Sequence, residues 1–69
     1  MEKMTNIRFI VDACMVVKIK MKAGQKDELP YYIEILEDIL ADSSVKMAPE
    51  THFLVENTYK AGVEYLGRD

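Results

Sequence analysis

The sequence predicts an all-α fold, a compact unit of three helices near residues 5–23, 28–41 and 49–66. Pro30 and Pro49 each open an amphipathic stretch, whereas Gly24 and Gly67 each follow one, as in helices that begin near Pro and end before Gly. Within the stretches apolar residues recur at i, i+3, i+4 and i+7. No Asn-Gly or Asp-Gly pair signals a hairpin. With no linker, repeat or low-complexity tract in view, residues 1–69 read as one domain.

The first stretch is the ambiguous one, because Val17, Ile19 and Met21 alternate with Lys18, Lys20 and Lys22 as they would in a half-buried strand. A strand from Met4 to Lys22 would be far longer than the usual length of about 5 or 6 residues. As a helix, the segment puts Ile7, Ile10, Cys14, Val17 and Met21 on one face, with Phe9 and Ala13 beside it. Arg8, Asp12, Lys18 and Lys22 fall opposite, and Lys18, Lys20 and Lys22 sit where cations favour a helix C-terminus. The β-branched residues Ile7, Ile10, Val11, Val16, Val17 and Ile19 oppose this by lowering helix propensity. They leave one alternative, a strand followed by two helices, which is the element order of a ribbon-helix-helix DNA binder.

The second stretch aligns Leu29, Tyr32, Ile33, Leu36, Ile39 and Leu40 on one face, with Asp27 available as N-cap and Glu28 in the first turn. The third stacks His52, Val55, Tyr59, Val63 and Leu66, with Leu54, Ala61 and Tyr65 alongside, and leaves Glu56, Asn57, Lys60 and Glu64 outside. Gly62 interrupts this helix on the side of Val55, Tyr59 and Leu66, so another helix is expected to approach closely there.

Charge is divided along the chain. Residues 1–26 carry six basic and two acidic side chains, a balance of +4, and residues 27–69 carry three basic and ten acidic, a balance of −7. The net −3 and a pI near 5.0 oppose contact with phosphates, and no aromatic interleaves with the lysines, so nucleic acid is not the expected partner. The most apolar run, Ile7 to Val17, contains Arg8 and Asp12 and is shorter than the roughly 20 residues that span a bilayer. It also lacks the features of a signal peptide. Together with a single unpaired cysteine, Cys14, these features suggest a cytoplasmic protein that does not enter membranes.

Chemistry-bearing groups are sparse. One cysteine and one histidine cannot complete a four-ligand zinc site, and there is no glycine-rich phosphate loop. His52 and Glu56, four apart, supply two ligands at most, and His52 is expected to be a partly buried residue at a helix start. Cys14 on an apolar face behaves as a small hydrophobe. The expectation is a non-enzyme without cofactor or metal.

Two surfaces remain. Tyr31, Glu34, Asp38 and Asp42 form a stripe on the solvent side of the second helix, suited to another protein with a basic surface. The first helix is apolar almost all round, so Phe9, Ala13, Met15, Val16 and Ile19 are candidates for self-association as a homo-oligomer. The function that follows is a protein-binding module, a regulator or inhibitor that occupies a partner's surface. The alternatives are a ribbon-helix-helix transcriptional regulator and a helical oligomer that holds a small ligand between subunits.

Overall fold

The computed structural model describes residues 7–67, apart from the side chain of Ile7, and its regular structure is three helices: α1 (Ile7–Ala23), α2 (Leu29–Ala41) and α3 (Pro49–Gly67). Residues 5 and 6 of the first predicted helix lie outside the described residues. Among the described residues there is no strand, which overturns the strand-first alternative: residues 14–23 continue α1. Lys20 and Lys22 in the last turn complement the helix dipole, and tertiary packing outweighs the weak propensity of the β-branched residues.

Gly24 stops α1 by adopting a left-handed conformation, φ +73°. Its N–H donates to the Met21 carbonyl at 3.2 Å and the Gln25 N–H donates to the Lys20 carbonyl at 2.9 Å. These two bonds make a Schellman cap and satisfy carbonyls that the helix end would leave open. At the start of α2 the N-cap position belongs to Glu28, not the predicted Asp27, and it makes no side-chain cap bond. The Glu28 carboxylate instead reaches across to Lys20 Nζ at 3.0 Å. Because Glu28 is mostly exposed, this bridge adds little stability, but it ties α1 to α2. Asp42 closes α2: its Oδ1 accepts from the Ser44 backbone N–H at 2.9 Å and from the Ser44 hydroxyl at 2.7 Å. Pro49 then opens α3, with Glu50 in the first turn.

Each helix packs against both others. Ile10, Ala13, Cys14 and Val17 from α1 meet Leu29, Ile33, Leu36 and Ile39 from α2 and Val55 from α3. Val45 and Met47, in the loop before α3, pack against this core from one end. The fully buried stripe of α3 runs Val55, Thr58, Gly62, which adds Thr58 to the sequence-based face. His52, expected to be partly buried, and Val63, placed on the inner face from sequence, are exposed. Val55, Tyr59 and Leu66 of that face do pack on the core, with Leu54 and Tyr65 beside them, but its most buried line also includes a hydroxyl and a glycine, which an apolar pattern does not register. Ala13 is also corrected. At 5% exposure it is core, and too covered to meet a second copy.

Gly62 is buried because Ile33 lies on it. A Cβ at position 62 would overlap Ile33 Cδ1, approach Ile33 Cγ1 to 3.2 Å and reach Val17 Cγ1 at 3.6 Å. Alanine gains about 0.5–1 kcal/mol of helix propensity over glycine, whereas overpacking a core costs about 1–3 kcal/mol, so the clash wins. Gly62→Ala is expected to lower the unfolding free energy by about 1 kcal/mol in chemical denaturation. Ile33→Val removes the Cδ1 atom, and in that background Gly62→Ala should be neutral or stabilising. An additive pair of substitutions would place the strain elsewhere.

Candidate functional site

The α2 stripe is laid out by helical spacing alone, since steps of three and four residues bring Tyr31, Glu34, Asp38 and Asp42 to one side. All four are exposed. Tyr31 is 64% exposed, yet its ring is held: it meets Tyr32 edge-on, with centroids 5.1 Å apart. Tyr32 is half-buried against the core and has Lys20 Nζ 5.9 Å from its ring centre. Most of the Tyr31 ring stays open, an exposed aromatic of the kind that anchors interfaces.

The charges of α2 run against its dipole. There is no acid in its first turn and no base in its last, while Asp38 and Asp42 lie at its C-terminal end. A carboxylate there is disfavoured by about 0.3–1 kcal/mol at low ionic strength. Among the described residues Glu34, Glu37 and Asp38 form no ion pair, so for Asp38 no pairing among them offsets that cost. Asp42 differs, because one of its oxygens already serves the turn with Ser44.

On α1 the outward residues are Phe9, Met15 and Ile19, at 51%, 52% and 61% exposure, with Val16 half-buried. Four of the five candidate self-association residues therefore reach the surface, and Ala13 does not.

Sequence reasoning missed Phe53. It is 65% exposed on α3, between two clefts. One, of about 360 Å³, is lined by Met21, Leu54 and Ala61 with Lys18 at its edge; the other, of about 480 Å³, is lined by Val45, Met47 and Pro49. A lone aromatic among Asn57, Lys60 and Glu64 is the signal that could have drawn attention to it.

The remaining reactive groups are poorly placed for chemistry. His52 Nδ1 stands 3.9 Å from Glu56 Oε1, and Glu56 Oε2 is 3.6 Å from Lys60 Nζ, all at the surface. Among the described residues no three His, Cys, Asp or Glu side chains gather as a metal site requires, and no helix is long and apolar enough to cross a membrane. Burial pushes the Cys14 thiol above its ordinary pKa, an effect partly offset by the Thr58 hydroxyl and by Lys18. Thr58 Oγ1 faces that sulfur without the geometry of a full hydrogen bond, and it is otherwise unpartnered and buried.

A thiol whose folded pKa is raised adds stability while both states stay protonated, below about pH 8.5. Above that range the unfolded chain loses its proton first, so the contribution fades as pH rises through the folded value. Wild type should therefore lose more stability than Cys14→Ala between neutral and strongly alkaline pH, measured by denaturation at each pH. Equal slopes would show that Cys14 ionises freely. Thr58→Val, which keeps the branched shape and removes an unsatisfied hydroxyl, is expected to raise stability by about 1 kcal/mol in the same assay at neutral pH.

Comparison with protein-family models, with curated proteins and with solved structures finds no match to this chain.

Proposed function

We propose that the protein is a non-enzymatic binding module, a regulator or inhibitor that occupies the basic surface of another protein through the α2 stripe and self-associates through α1. The observation that carries this is the exposed run of acids on α2, set against the helix dipole, without ion pairs at Glu34 and Asp38 among the described residues, and next to Tyr31, which meets Tyr32 edge-on. A basic partner would offset the dipole penalty and cover Tyr31 in one step. Cys14 supports the non-enzymatic reading, since a buried thiol with a raised pKa is a poor nucleophile. Being free and the only cysteine, it also fits a cytoplasmic setting.

In this reading Tyr31 supplies contact area and the acids steer encounter. Replacing Tyr31 by Ala together with Asp38→Lys should abolish capture of a partner from native lysate, with the helical circular dichroism spectrum unchanged, because neither side chain is buried. Asp38→Lys alone should slow association most at low salt, and Tyr31→Ala alone should mainly speed dissociation. Full capture by the folded double variant would reduce the stripe to a solvated face.

A further inference from the structure

Resting on the self-association proposed above, we infer that two copies pair through antiparallel packing of α1 on α1, held in register by reciprocal Asp12–Lys22 ion pairs. The outermost line of α1 reads Arg8, Asp12, Met15, Ile19, Lys22, with steps of four, three, four and three residues. That is the repeat of a helix–helix seam. Its two central side chains, Met15 and Ile19, are more than half exposed. Asp12 lies toward the N-terminal side of this pair and Lys22 toward the C-terminal side, both exposed, and among the described residues neither forms an ion pair.

The charges decide the orientation. Side by side and parallel, two copies would set Asp12 against Asp12 and Lys22 against Lys22. Antiparallel, with the two-fold axis level with Val17, Met15 of each copy faces Ile19 of the other. Asp12 then faces Lys22, and Lys22 faces Asp12. Four apolar side chains are closed at each end by an ion pair, and a two-fold contact of this kind terminates at a dimer. Phe9 and Val16 flank the seam on one side. Arg8 falls opposite position 26, beyond the end of the partner's helix at Ala23, so the seam stops at the Asp12–Lys22 pairs. The acidic stripe is on α2 and stays free in the dimer.

Sedimentation equilibrium at micromolar concentration tests the pairing. Wild type should be a dimer. Asp12→Lys and Lys22→Asp should each weaken it by about tenfold or more, since each sets like charges together twice. The chain carrying both changes should recover most of the affinity, and a far-ultraviolet spectrum on each variant controls for folding. Disulfide formation tests the orientation. Mixing Met15→Cys with Ile19→Cys should give a cross-linked heterodimer, while either alone links poorly, because its two copies stand about 6 Å apart along the axis. Cys14 is buried and stays out of this reaction. A monomeric wild type would overturn the self-association itself. A dimer that ignores both charge reversals, or that cross-links through position 15 alone, would leave association standing and overturn this geometry.

Discussion

The packing of this protein depends on Ile33 lying across Gly62. With so few buried apolar side chains, a third helix held one side chain further out would leave the core open. Glycine lets α3 come to its neighbours without a side chain between, and Ile33 and Val17 fill the space from α2 and α1. Once α3 is seated there, Val55 and Thr58 turn inward on the same face, Thr58 meets Cys14, and Tyr65 is carried to Lys26, whose ammonium lies 5.2 Å from its ring centre. The surface follows from the same contact. Val63 and His52 turn outward, and Phe53 stands between two clefts.

How much of this could be read from the sequence differs between helices, for physical reasons. α2 was legible in its inner face, since every buried residue on it is a large apolar side chain, though not in its N-cap. α1 was legible in its limits, because Gly24 announces a left-handed cap, but its strand-like alternation was settled only by packing. α3 was legible as a helix and in most of its inner face, with Thr58 missed and His52 and Val63 wrongly included. Thr58 is polar and Gly62 has no side chain, so neither registers in an apolar count, although the position of Gly62 did foretell a close approach. The N-cap of α2 falls at Glu28, and its carboxylate pairs with Lys20 instead of capping, a long-range contact that local sequence does not display. Of the candidate surface residues, the four of the α2 stripe are exposed as periodicity implies. Ala13 was lost because a small residue beside an apolar face fits inside or outside equally well from sequence alone.

One group of polar contacts joins the C-terminal end of α1 to the start of α2. Lys20 serves twice, pairing with Glu28 and lying over Tyr32, and Tyr32 in turn steadies Tyr31. The basic end of α1 therefore does part of its work within the chain, and the charge division seen in the sequence is partly neutralised by folding. What folding does not neutralise is informative. Among the described residues Glu34, Glu37 and Asp38 form no ion pair, so this part of the acidic face is not neutralised by folding.

A chain of this size buries only about 60% of the surface it exposes when unfolded, so each unfavourable feature weighs heavily. This protein keeps several: carboxylates at the negative end of α2, an unsatisfied hydroxyl at Thr58, and large apolar side chains in water on α1 and α3. Thr58 is internal and is an outcome of packing. The others are at the surface, where lysines near the end of α2 would offset the dipole cost without disturbing the core. A partner that binds only the folded chain supplies the missing term, because occupancy at about 100 times its dissociation constant stabilises by about 2.7 kcal/mol. That exceeds the dipole cost of both terminal acids of α2. The unfavourable surface of the isolated chain is thus the side of a thermodynamic cycle that a basic partner, and a second copy on α1, would close.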